Sequence, residues 1–377
     1  MNTKRIYLSS PTMHDLEMKY IREAFDTNWV APLGKNVDEF EREMASYIGI
    51  GHAAALNSGT AALHLAVKLC DVRAGDLVFC SDLTFSATIN PVSYEGGVQV
   101  LIDSEEESWN MDPDLLEKAF KTYKKKPKAV IVANLYGTPA KLDEIAEICR
   151  HYDVPLIEDA AESLGATYNK RQTGTFGKYN ALSFNGNKII TTSGGGMFLC
   201  DSEEAVKKVR FWATQARDPA PHYQHSEIGY NYRMSNIVAG IGRGQIPYLD
   251  DHIRRKKEIY NTYKDGLQDL HLPVTMNPYL ANSEPNHWLS CLLIDKGEKT
   301  TYQEIMQKLE EHNIESRPIW KPMHMQPVFK DMDYITKDSS TNIGSDIFSR
   351  GLCLPSDIKM TEEEQQNVMS IIKGCFA

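Results

Sequence analysis

AVIVANLYG, residues 129–137, opens with five apolar residues in a row and shows no alternation. A strand with one wet face alternates, so this run belongs to a strand covered on both faces, as in a parallel sheet between two layers of helix. Six similar runs surround it: HAAALN (52–57), DLVFC (76–80), VQVLID (98–103), VPLIED (154–159), ALSFN (181–185) and GMFLC (196–200). Helical patterns such as DPDLLEKAFKTYKK and KLDEIAEICRHY lie between several of them. The alternation predicts an α/β fold with a mostly parallel sheet. A helix is expected near residues 16–25, followed by the turn-rich TNWVAPLG. A long polar-faced helix over 246–270 leaves the large domain, and HWLSCLLID, TYQEIMQKLEEHN, ESRPIW, GLCLP and TEEEQQNVMSIIKG predict a smaller α+β domain. The expected division is 1–250, an N-terminal segment with the large domain, and 251–377, the linking helix with the small one.

The chain has 377 residues, 42% hydrophobic, and a net charge of −10. That length supports two domains and a large core, and the charge sets it against a nucleic-acid partner. YKKKPK is read as a solvated helix end. The seven cysteines form no CxxC pair and sit mostly in apolar company, which suits a reducing compartment. No apolar signal core and no run of transmembrane length is present. A cytoplasmic, soluble protein without membrane contact is expected.

Ligands of open α/β sheets bind at the carboxyl ends of the strands. HAAALN runs into SGTAALHLAV, where Gly59 permits close backbone approach. The first helical amides, with the Ser58 and Thr60 hydroxyls, can hold an anion or can simply cap a helix. Phe85 follows the next run and is either core or a ring that stacks on a flat group. VPLIEDAAESLG places Glu158, Asp159 and Glu162 together. Adjacent buried carboxylates need a positive or protonated partner, or Asp159 caps a helix begun by AAESLG. Lys188, in LSFNGNKIITTSGGG (182–196), follows the next strand. An anion site, a flat aromatic, a buried carboxylate and one amine are what pyridoxal phosphate requires. His222 and His225 are HxxH-spaced but lack an accompanying carboxylate pattern, so no metal site is assigned.

The motifs APLG, NSGTAALHLAV, DLTFSATINPV, LYG, IEDAAESLGA, SFNGNK, GGGM, GYNYRMSNI and RPIWKPMH follow in order along nearly the whole chain. Together they resemble the sugar aminotransferases of the DegT/DnrJ/EryC1/StrS family, pyridoxal-phosphate enzymes of fold type I. Within it, the chain is most similar to 4-aminotransferases of UDP-linked 4-keto-6-deoxy-N-acetylhexosamines from exopolysaccharide and protein-glycosylation pathways. The resemblance implies that Lys188 is the Schiff-base lysine and Asp159 the partner of the pyridine nitrogen. It implies that Glu162 faces the ring hydroxyl, Phe85 stacks on the ring, and Gly59, Thr60 and Ser183 hold the phosphate. Asn231 matches a residue that reaches the phosphate from a neighbouring subunit, so a homodimer with shared sites is expected. Asn28, Trp29, Ala31, Pro32 and Leu33, with Arg317, Trp320, Lys321, Met323 and His324, match segments lining the nucleotide-sugar side. Glu162 stands where many relatives have Gln, and SGGG where they have GEGG.

The implied reaction moves an amino group from L-glutamate to C4 of a UDP-linked 2-acetamido-4-keto-6-deoxyhexose by a ping-pong scheme. The alternatives are a 3-keto or a dTDP- or GDP-linked sugar, and a non-catalytic regulatory protein on the same scaffold. A dehydratase of the family would carry His at the lysine position.

Overall fold

Ala129–Ala133 is a central strand with all five residues buried. In the computed structural model, which describes residues 4–338, 340 and 342–376, it lies within an eight-stranded sheet. The order is His52–Leu56, Gly196–Cys200, Tyr179–Ser183, Leu156–Asp159, Ala129–Ala133, Leu77–Ser81, Val98–Ile102, Asp333–Ile335. All seven apolar runs of the sequence are strands of this sheet. Gly196–Cys200 is antiparallel to both neighbours, and the other pairings are parallel.

The two faces carry separate cores. Ile131 packs with Leu65, Val78 and Phe198 on one side, while Val130 and Val132 pack with Leu116 and Ile145 on the other. Burying each such side chain contributes about 1.5–3 kcal/mol. The expected helices appear at Asp15–Asp26, Pro113–Thr122, Leu142–His151 and Leu249–Asp269. AAESLG forms turns instead of a helix.

A four-stranded antiparallel sheet, in the order Val274–Met276, Ser290–Ile294, Gly351–Leu354, Arg317–Pro318, lies in the C-terminal third. Its core joins Ile259, Tyr263, Leu292, Leu309, Leu354 and Ile372. The chain crosses between the sheets at both ends. Ile6 bridges to Ile314, and Asp333–Ile335 pairs with Val98–Ile102. The second crossing covers an edge strand that would otherwise present unpaired backbone groups. Among the described residues no helix is long and apolar enough to cross a membrane.

Candidate active site

Parallel strands bring their carboxyl ends to one rim, and a cavity of about 300 Å³ opens there. Ser58, Gly59, Thr60, Phe85, Asp159, Glu162, Ser183, Lys188 and Trp320 all line it. The sequence had dispersed these residues over more than 250 positions.

The turn after His52–Leu56 runs into the helix Gly59–Leu69. The Ser58 hydroxyl accepts from the Ala61 amide at 3.0 Å, so it caps this helix as well as lining the cavity. First-turn amides have no intrahelical acceptor, which leaves those of Gly59 and Thr60 for an anion. The glycine that seats this turn is Gly196. A Cβ there would lie 2.2 Å from the Ser58 carbonyl carbon and 2.3 Å from Gly59 N. At Gly59 itself the nearest contact would be Ser183 Cβ at 3.0 Å, so its missing side chain serves packing against the neighbouring strand. Ser193 holds φ 72°, in the left-handed region.

Strand alternation separates the acidic residues. Glu158 turns inward and accepts from the Gly174 and Phe176 amides and Asn134 at 2.8–2.9 Å, a structural role. Asp159 turns to the cavity, where it accepts from the Thr88 hydroxyl at 2.7 Å and the Ala161 amide at 3.1 Å. Burial pushes the Asp159 carboxyl up, and these hydrogen bonds and Lys188 oppose it. Glu162 accepts from the Tyr136 amide at 2.7 Å, and its Oε1 lies 3.9 Å from Lys188 Nζ. Burial raises Glu162 strongly; Lys188 opposes the rise and Asp159 adds to it. The strand before Lys188 ends at Ser183, so the amine stands on the following turn, with 12% of its side-chain surface exposed. Burial lowers the Lys188 pKa against the pull of Glu162 and Asp159. Phe85 is 52% exposed, which excludes the core reading of this ring.

Other expected residues lie elsewhere. Arg317 and Lys321 line an adjoining cavity of about 570 Å³ that shares Asn187, Trp288 and Trp320 with the first. Arg317 pairs with Glu315 at 2.8 Å. Met323 and His324, expected on the sugar side, line neither cavity. Met323 is 2% exposed, in the core against the eight-stranded sheet. His324 Nδ1 meets the buried Asp82 at 2.6 Å, and its ring stacks on Tyr334 at 4.0 Å. Met323 N–H donates to the Asp82 carbonyl at 2.9 Å, so beyond Pro322 the chain is drawn in beside the large sheet. Asn28, Trp29, Ala31, Pro32 and Leu33 form a loop held by Asn236, whose Nδ2 donates to Trp29 O at 3.0 Å and whose amide donates to Ala31 O at 2.8 Å. This loop does not line the cavity of its own chain, and neither does Asn231, which is exposed. The sequence reading passed over Trp288, Thr88 and Asn187. The first lies just before a strand of the four-stranded sheet, far along the chain from the other site residues, and hydroxyl or amide side chains at loops carry no distinctive pattern.

Residues 11–373 match the DegT/DnrJ/EryC1/StrS aminotransferase family. The chain belongs to this family. It is 50% identical over 376 residues to EpsN of Bacillus subtilis (strain 168), covering 99% of this chain and 96% of the relative, whose name describes a pyridoxal phosphate-dependent aminotransferase. GDP-perosamine synthase of Caulobacter vibrioides is 34% identical, over 98% of this chain and 97% of the relative. UDP-4-amino-4,6-dideoxy-N-acetyl-beta-L-altrosamine transaminase of Campylobacter jejuni is 34% identical over 66% of this chain and 64% of its own length. A DegT DnrJ EryC1 StrS aminotransferase from Brucella abortus superposes with TM-score 0.87 at 25% identity, covering 96% and 95% of the two chains. PseC of Helicobacter pylori shares the fold, with TM-score 0.90 at 21% identity over 99% of both chains.

The protein is therefore an aminotransferase that uses pyridoxal phosphate. The residues of the cavity fit this cofactor. An enclosed carboxylate needs a cationic partner, as a pyridinium is. The seated turn offers amides to a phosphate, and an exposed aromatic and an enclosed amine complete the set.

Proposed function

We propose that this aminotransferase transfers the amino group of L-glutamate to C4 of a UDP-linked 2-acetamido-4-keto-6-deoxyhexose, in polysaccharide or glycan biosynthesis. The observation that carries the catalytic part is the convergence of Lys188, Asp159, Glu162 and the Ser58–Gly59–Thr60 turn on one cavity. For the sugar, the support is the sequence likeness together with the Campylobacter transaminase, whose name contains UDP, a 4-amino group and N-acetyl.

Bound pyridoxal phosphate supplies an aldehyde that accepts an amine and a ring that draws electrons from the adjoining carbon. Lys188, whose pKa burial lowers, would anchor the cofactor and, once released, move the proton at the donor's Cα. Asp159 would hold the pyridine nitrogen protonated, itself positioned by Thr88 and Ala161. Glu162 would face the ring hydroxyl, with Phe85 stacked on the ring. Gly59, Thr60, Ser58 and Ser183 would hold the phosphate. Arg317 and Lys321 would meet the diphosphate beside Trp320, Arg317 in a bidentate manner and Lys321 as a point charge. Asn231 and the 28–33 loop, absent from their own chain's cavity, would serve the site of a second subunit in a homodimer. The exposed Trp29, Val30 and Leu33 on that loop, each at least 48% exposed, suit such an interface.

A second reading is a GDP-linked 4-keto-sugar, favoured by the GDP-perosamine synthases, three of which are 30–34% identical over nearly the whole chain. Incubating the aminated form of the enzyme with UDP-, dTDP- and GDP-linked 4-keto-sugars, with product identification by NMR, separates the readings. Amination at C3, or preference for a GDP or dTDP sugar, removes the UDP proposal. Borohydride reduction followed by peptide mapping tests the anchor: the cofactor is expected on Lys188, and Lys188→Ala is expected to abolish both covalent attachment and turnover.

A further inference from the structure

Lys188 Nζ sits over the ring of Trp288, 4.1 Å from the centroid. Trp288 is not free to move. Its indole N–H donates to Asn187 O at 2.6 Å, and its carbonyl accepts from Lys256 Nζ at 2.9 Å. Its backbone amide donates to Asn286 Oδ1 at 2.9 Å. The carbonyl anchored by the indole belongs to the residue preceding Lys188. The carbonyl following Lys188, that of Ile189, lies 2.8 Å from His252 Nδ1. The lysine turn is thus tied on both sides while its amine projects over a fixed aromatic face. The segment carrying Trp288 packs directly on Gly137, where there is no room for a side chain: a Cβ there would lie 1.9 Å from Asn286 Oδ1 and 3.0 Å from Trp288 N.

We infer that Trp288 is a further catalytic residue, the seat of the Lys188 amine whenever it is not bonded to the cofactor, whose ring face stabilises the proton-bearing form of that amine. The inference rests on the reading of Lys188 as the cofactor's anchor. An amine that shuttles a proton must be able to hold one. Burial alone drives Lys188 towards the neutral form, and Glu162 and Asp159 pull the other way. The negative face of an indole ring adds to that pull without itself taking a proton. It also gives the released side chain a fixed position within reach of the cavity. Around this pair stand Glu162 and Asp159 at the sheet rim, His252 and Lys256 on the helix behind Trp288, and Glu315, Arg317 and Lys321 in the adjoining cavity that Trp288 also lines.

Fluorinated tryptophans incorporated at position 288 alone test this, because fluorine drains the ring face of negative charge with little change of shape. The cofactor-stripped enzyme takes up pyridoxal phosphate covalently through the neutral amine, so the pH dependence of the uptake rate reports the Lys188 pKa. The pKa is expected to fall stepwise from mono- to trifluorotryptophan, by about 0.5–1 pH unit in all. Trp288→Phe keeps a weaker face and is expected to fall within that range. A uniform pKa across the series overturns the inference. Cofactor mapped to another lysine overturns the anchor reading and this inference with it, whereas a flat series with cofactor on Lys188 overturns this inference alone.

Discussion

Glu162 and Lys188 face each other across 3.9 Å, and burial favours the uncharged form of each. An acid in such surroundings can do the work of an amide. A glutamic acid whose pKa is raised by burial retains its proton further into the neutral range, and a protonated carboxyl can donate a hydrogen bond as an amide does. The sign follows. Above the raised pKa Glu162 loses the proton and the donor, so activity that depends on it falls as pH rises. Glu162→Gln keeps a donor at all pH values. It is expected to retain activity within about tenfold at neutral pH and to lose the alkaline decline assigned to Glu162. Profiles of kcat against pH for both proteins check this; a loss beyond about 100-fold at neutral pH would show that the site needs the charge and not the proton. Lys188, Asp159 and Glu162 were legible in the sequence as residue types at strand ends. Their protonation was not, because it depends on how far each is removed from water.

Among the elements, the phosphate turn is shaped from beneath by a strand that reads as ordinary core. GMFLC is a plain apolar run, yet its first residue determines whether the Ser58–Gly59 turn can sit down. Gly196→Ala is expected to displace the turn, weaken cofactor affinity by at least about tenfold and cost more than about 1 kcal/mol of stability. Gly194 also lines the cavity, but a Cβ there meets nothing within 4 Å, so Gly194→Ala is the matched control and is expected to change affinity little. Equal effects in cofactor titrations of the two variants would remove the seating role from Gly196. The strands and helices were legible from periodicity, since pattern reports burial. AAESLG illustrates the limit: its composition permits a helix, but Asp159 and Glu162 are held by partners from distant segments, Thr88 and Tyr136.

For the whole molecule, Lys256 joins three parts that are distant in sequence. From the long helix Leu249–Asp269 it donates to Ser9 Oγ at 3.0 Å and to Trp288 O at 2.9 Å. Burial pushes its pKa down to about 7. The unfolded chain, with an ordinary lysine near 10.4, binds the proton more strongly through the interval above pH 7, so folding stability rises with pH there. Between pH 7 and 9 this one group is expected to add up to about 2 kcal/mol. Lys256→Met is expected to flatten that part of the stability curve, as read from urea midpoints at the two pH values. An unchanged slope would mean that the amine is already neutralised by other means. Assembly can be tested at the same scale. Co-expressing Lys188→Ala with Asn231→Ala gives mixed dimers in which one site bears both lesions and the other neither. Restored activity supports sharing, while hybrids as inactive as their parents despite proven assembly argue against it.

By itself the sequence determined the sheet, its mostly parallel sense and the chemistry available at its rim. These follow from local pattern: strands buried on both faces must be apolar throughout, and an amine, carboxylates and an anion turn at strand ends are visible as residue types. Only the tertiary structure decided which of those groups meet. RPIWKPMH reads as one segment, yet Trp320 lines the cavity while Met323 enters the core and His324 clamps Asp82. Lys188 gained the partner that nothing adjacent in sequence announced, Trp288. The reason is that contact between segments a hundred residues apart is set by how two sheets close on each other, and periodicity within one segment carries no information about its distant neighbour.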